Sequence, residues 1–159
     1  MMNFSVLVYI AALVSANLMV AWLGPWFSVV NSFLLIGLDL SLRDKLHDAW
    51  QGKHLAAKLA GLIAAAGAIS YALNPSAGQI AIASVSAFCA AMAADSIAYQ
   101  ALRSRPWIQR ANGSNIAGAL VDSILFPTIA FGGLMPHIVA MQFVSKVAGG
   151  AVWSWLLRK

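Results

Sequence analysis

Apolar residues run along this chain in blocks of about twenty, and each block is closed by glycine, proline or a cluster of charge. The first block continues from Phe4 to Leu23 and stops at Gly24-Pro25. Further blocks follow, so that six lie near residues 3 to 23, 26 to 46, 54 to 73, 77 to 101, 112 to 132 and 136 to 157. Asn74-Pro75 divides the third from the fourth, and Gly132-Gly133 with Pro136 divides the last two. Blocks of this length predict helices, because about twenty residues of helix cross the hydrocarbon of a bilayer and the breakers mark where the chain must turn. The expected fold is all-α: one polytopic domain over 1-159 with six transmembrane helices.

Composition supports lipid as the solvent. Hydrophobic residues make up 61% of the 159 and charged residues 9%, with no Glu, against about 25% charged in soluble domains; the mean hydropathy is +0.79. The first block has no basic segment before it and no clear small-residue cleavage site, so it reads as a permanent helix rather than a secretory signal. A single Cys89 excludes a disulfide framework and a multi-cysteine metal site and reads as a small packing residue.

Charge then orients the helices. Arg43, Lys45, Lys53 and Lys58 flank the second connection, Arg103, Arg105 and Arg110 fill the fourth, and Arg158 and Lys159 end the chain. Nine of the ten basic residues thus fall on one side of a six-span arrangement, which by the positive-inside rule is the cytoplasm and places both termini there. The same dispersal explains the net charge of +5 as contact with anionic headgroups and excludes nucleic acid as a partner, which would require a basic face on a soluble module. Trp22, Trp26, Trp50, Trp107, Trp153 and Trp155 all stand near predicted helix ends, as an interfacial aromatic belt does. Small residues at spacings of four in the third helix, "AAKLAGLIAAAGAIS", and Ala12 and Ala16 in the first permit close helix approach. They read as packing within the chain, with a homo-oligomer interface as the other use.

Four ionisable side chains fall inside predicted spans: Asp39, Asp95, Asp122 and Lys146. Each costs about 2.5 to 3.5 kcal/mol at mid-bilayer on insertion scales, so each calls for a function or a partner. Asp39 lies one turn before Arg43, a locally stabilising pair. Asp95 shares a helix face with Ser84, Phe88 and Tyr99 at 3.6 residues per turn. Asn115, Gly118, Asp122, Phe126 and Ile129 form a stripe on the fifth helix that cannot face lipid. This stripe either pairs internally or lines a cavity for a polar solute. Lys146, with Gln142 one turn before it, requires a carboxylate nearby, and Asp122 is the natural partner. Asn17 adds a buried amide to the first helix, and Pro127 predicts local irregularity in the fifth.

No His and Cys cluster, phosphate-binding glycine loop or nucleophile with a base is present, so neither an enzyme nor a bound metal or cofactor is expected. A carboxylate in a dry site recognises two parallel N–H donors, as guanidines and the Watson-Crick edge of guanine offer. Neighbouring aromatic rings supply stacking for a flat heterocycle. The set suits a planar, hydrogen-bonding small molecule, with Asp122, Asp95, Asn115, Lys146, Gln142, Phe88, Tyr99, Phe126, Asp39 and Asn17 as candidate binding residues.

Against that reading, "ANLMVAWLG", "FLLIGLDLSLRD", "AADSIAYQALRSR" and "RANGSNIAGALVDSILFPTIAFGG", with the Lys146 helix, resemble the queuosine-precursor transporter family, also called the VUT or YhhQ family. The most specific element is matched by Arg110, Ser114, Asn115, Asp122, Ser123, Phe126, Ala130 and Phe131. The resemblance spans nearly the whole chain. It implies a six-helix protein of the bacterial inner membrane that imports 7-cyano-7-deazaguanine or a related 7-deazapurine for tRNA modification. Two other readings stay open at this stage. One is a substrate-binding subunit of an energy-coupling-factor importer, whose Ala12 and Ala16 would dock coupling subunits. The other is a structural or pore-forming membrane protein.

Overall fold

Gly24 adopts φ 78°, ψ −166°, a backbone region open essentially to glycine alone, and there the first helix ends and the second begins. The computed structural model describes residues 2–36, 38, 50 and 54–156. Helix α1 spans Met2–Leu23, and α2 spans Pro25–Asn31, with proline in its first turn where no amide donor is lost. Helix α2 runs on as a π-helical segment, Ser32–Ile36. Of the rest of the expected second helix only Leu38 is described; Asp39, Arg43 and Lys45, and Lys53 in the connection after it, lie outside the described residues. Helix α3 is Leu55–Leu73. Asn74 closes it in an extended conformation, and its Oδ1 accepts from the Ser76 N–H at 3.1 Å, turning the chain into a short 3-10 segment, Pro75–Ala77. Helix α4 follows over Gly78–Ala101, α5 over Trp107–Phe131 and α6 over Pro136–Leu156.

Helix α5 starts five residues before the expected position. Pro106 stands at its N-terminal boundary with φ −53° and ψ 148°, and proline before a first turn is well suited to begin a helix. The polar run after it therefore continues the helix beyond the apolar block instead of forming a connection. Gly132, at φ 74°, ends α5 in the left-handed cap that glycine tolerates best. Among the described residues four segments are long and apolar enough to cross a membrane, Phe4–Leu23, Ala56–Leu73, Pro75–Ala101 and Gly113–Phe131, while Pro25–Ile36 is a shorter apolar helix. Among the described residues the expectation of six transmembrane helices is met by six helices, four of them long apolar spans. Polar residues in α6, among them His137, Gln142 and Lys146, dilute its hydropathy.

Packing closes these helices into a ring. Going round, α1 meets α3, α3 meets α4, α4 meets α5, α5 meets α6, and α6 meets α2 and its π segment, which return to α1. The polarity of this ring is inverted relative to a soluble bundle. Phe4, Leu7, Ile82, Ile97 and Val144 are exposed on its outside, whereas Asn17, Ser28, Asn31, Ser70, Gln142 and Lys146 are buried within. Two apolar clusters fill the seams: Tyr9, Leu13, Leu59, Ile63 and Phe88 between α1, α3 and α4, and Val20, Ile80, Ala83 and Ala130 between α1, α4 and α5.

The small residues of α3 divide between two faces. Ala66 and Gly67 are buried, and a Cβ at Gly67 would stand 3.4 Å from that of Ala81. Ala57, Gly61, Ala64 and Ala68 face outward, with nothing within 4 Å of a Cβ at Gly61. Packing within the chain therefore accounts for only half of the motif. Ala12 and Ala16 are buried inside the ring, so neither presents a docking face. Cys89 is exposed rather than packed in the core.

Candidate functional site

Helices α4 and α5 approach closely because Gly118 has no side chain. A Cβ there would stand 3.3 Å from the Ala91 carbonyl oxygen and 3.4 Å from the Asp95 Cβ. This contact sets Asp95 beside α5, one turn from Asp122 on that helix, or about 6 Å along its axis. Pro127 interrupts the backbone ladder at the Ser123 carbonyl, and the buried Ser123 turns its hydroxyl toward α6.

Lys146 gathers these groups. Its Nζ donates to Asp122 Oδ2 at 2.5 Å, to Ser123 Oγ at 3.2 Å and to Gln142 Oε1 at 3.2 Å. An ammonium has three N–H donors, and all three are accounted for. Gln142 in turn donates from Nε2 to Ser28 Oγ at 2.7 Å, and Ser28 donates to the Pro25 carbonyl. One chain of hydrogen bonds therefore ties α5, α6 and α2. A second ties α1, α3 and α4: Ser84 Oγ donates to Asn17 Oδ1 at 2.8 Å, and Asn17 Nδ2 donates to Ser70 Oγ at 3.2 Å. Asn31 Nδ2 joins α2 to α1 through the Ala16 carbonyl at 2.9 Å.

Between the two networks the ring encloses a cavity of about 1100 Å³ with residues from all six helices in its wall. Small-molecule sites typically occupy about 300 to 1,000 Å³, so there is room for a bicyclic heterocycle and water. Asp122, Asp95, Asn115, Lys146, Gln142, Phe88, Phe126 and Asn17 all line it. Tyr99 does not belong to the lining, although Ser84, Phe88 and Asp95 of the same helix face do. Asp39 lies outside the described residues. Asp122 is ion-paired to Lys146, the first alternative posed for it, and it also stands in the cavity wall with a quarter of its side chain open. Ile129, from the same stripe, packs instead against the apolar cluster beside Val20.

Sequence reasoning passed over Ser28, Asn31 and Ser32. Their spacing was the available signal: three polar residues at i, i+3 and i+4 in an otherwise apolar helix mark a face that cannot meet lipid. The cavity offers hydrogen-bond donors and acceptors, and among the described residues no cluster suited to a metal ion occurs.

No curated protein and no solved structure matches the chain significantly. A family model does: one described as "Putative vitamin uptake transporter" matches residues 2–158, so this multi-pass membrane protein belongs to that transporter family.

Proposed function

We propose that the protein imports 7-cyano-7-deazaguanine or a related 7-deazapurine queuosine precursor across the bacterial inner membrane. Its 159 residues would act as one six-helix domain with both termini in the cytoplasm. The observation that carries this reading is the cavity inside an apolar-surfaced ring, which bears two carboxylates, Asp95 and Asp122, and two aromatic rings, Phe88 and Phe126. Carboxylates accept from the paired N–H donors of a guanine-type edge, and aromatic faces stack on the bicycle. The resemblance of the helix 2, 4 and 5 motifs to the queuosine-precursor family supplies the substrate class, and membership of an uptake family agrees with import. The burial of Ala12 and Ala16 favours a stand-alone carrier over one docked through helix α1 to coupling subunits.

The test is genetic. Cells unable to make the precursor are supplied with it at low external concentration, with and without this gene, and queuosine in tRNA is measured. Queuosine formation that depends on the gene is the expected result, and equal formation in both strains would remove the substrate assignment.

A further inference from the structure

We infer that Asp95 and Asn115 together read the solute's donor–donor–acceptor edge, while the Asp122–Lys146 pair is a positioning element that holds the opposite wall. This assignment rests on the deazapurine reading above and divides labour within it.

The division follows from which valences are already used. Lys146 donates to Asp122, Ser123 and Gln142, so it has no N–H left for a solute carbonyl. Asp122 has one oxygen, Oδ2, on the ammonium. Its charge is neutralised there, and only Oδ1 remains, whereas a bidentate bond to two parallel donors takes both oxygens.

Asp95 is differently placed. Among the described residues it forms no hydrogen bond and no ion pair, and it is half-buried in the cavity wall. Both carboxylate oxygens are free to accept. Asn115 also lines the cavity without a hydrogen bond among the described residues, and it stands on α5 one turn before Gly118, the residue packed on Asp95. Its amide offers N–H donors. Two acceptors on Asp95 and a donor on Asn115 complement a guanine-type edge, whose ring N–H and exocyclic amine donate and whose carbonyl accepts. Phe88, two turns before Asp95 on the same helix, also faces the cavity and supplies the stacking surface.

The charge balance points the same way. Asp122 and Lys146 cancel, so the uncompensated charge among these groups is the one on Asp95. Without a partner among the described residues, that carboxylate is left to water in the cavity, and a solute edge with two donors takes over those bonds on binding. Free bases satisfy it, whereas phosphorylated nucleotides bring further negative charge into an anionic cavity.

The test uses the full-length protein purified in nanodiscs, titrated calorimetrically with 7-cyano-7-deazaguanine and with its analogue lacking the exocyclic amine. The wild type is expected to prefer the amine-bearing ligand by tenfold or more. In Asp95→Asn and in Asp95→Ser, chosen so that two differently shaped replacements are read, that preference should fall to about threefold or less. Asp122→Asn should retain the preference even if overall affinity drops. Asn115→Leu should weaken both ligands alike and leave their ratio unchanged. Full discrimination in both Asp95 variants, or its loss in Asp122→Asn alone, would overturn the assignment while leaving the deazapurine reading intact. A wild type that binds neither ligand would overturn that reading, and this assignment with it.

Discussion

Lys146 has three protons to give, and the structure places an acceptor at each. Removing the ammonium by Lys146→Met therefore strands the Asp122 carboxylate beside Ser123 and Gln142. Breaking a buried pair in this way costs about 3 to 5 kcal/mol, and the lower end applies because Asp122 is a quarter exposed to the cavity. The double change Lys146→Met with Asp122→Asn removes the stranded charge and should recover much of the loss, since neighbouring sites couple. Thermal melts of both single variants and the double variant measure this, and additive losses would contradict the pairing. Asn17 invites a gentler version, because it accepts from Ser84 and donates to Ser70. Asn17→Leu should lower stability by about 0.6 kcal/mol for each bond lost, the average for interhelical hydrogen bonds in membranes, and by at most about 1.7 kcal/mol per bond. Under the proposed function, selectivity too would rest on single groups. Guanine-like deazapurines should compete with substrate at least tenfold better than adenine, whose exocyclic amine lies beside an acceptor instead of a second donor. Competition uptake assays decide it, and equal potency would argue against carboxylate recognition.

Helices meet here through glycines whose roles differ, and those roles can be ranked. A Cβ at Gly149 would run into the backbone of Phe33 in the π segment, and one at Gly118 would press on Ala91 and Asp95. Gly149→Ala should therefore lower the melting temperature, by about 1 to 3 kcal/mol of overpacking. Gly61→Ala meets nothing within 4 Å and should be neutral or stabilising by up to about 1 kcal/mol through helix propensity alone. The reverse order in a melting series would reject this description of the seams. Much of the architecture was legible in the sequence because its marks are local. Gly24, Asn74, Pro75, Gly132 and Pro136 stand at or next to the breaks they announce, and the cost of ionisable groups in lipid singled out Asp95, Asp122 and Lys146. What was not legible depends on partners far along the chain. The face of α3 that would be buried, the exposure of Cys89, the π-helical continuation of α2 and the displacement of Tyr99 from the cavity follow from which helices become neighbours, and helical periodicity carries no record of that. The early start of α5 is hidden by polarity, which marks the end of an apolar block and not of a helix; Pro106 is the stronger mark.

The six helices form an oriented container, and its orientation can be measured. Cys89 is the single cysteine, so a Cys89→Ser background permits labelling at one introduced thiol. Leu134 in the α5–α6 turn and Ser104 in the α4–α5 turn are both exposed, and under the proposed topology, with both termini cytoplasmic, Ser104 falls on the cytoplasmic side and Leu134 on the opposite one. Leu134→Cys should react with an impermeant maleimide in intact spheroplasts, and Ser104→Cys only after permeabilisation. The opposite pattern would invert the topology. Ring order and chain order disagree at one place: α2 sits between α1 and α6, so its bond from Gln142 to Ser28 joins residues 114 positions apart. During synthesis α2 therefore enters the membrane with its Ser28 hydroxyl held by the Pro25 carbonyl, long before the Gln142 amide that donates to that hydroxyl exists. Until α6 emerges, the nascent chain is an open arc with a polar slot along its side. That interval is when quality-control proteases and chaperones have a substrate to recognise, and a ribosome stalled before Gln142 leaves them a chain that cannot close.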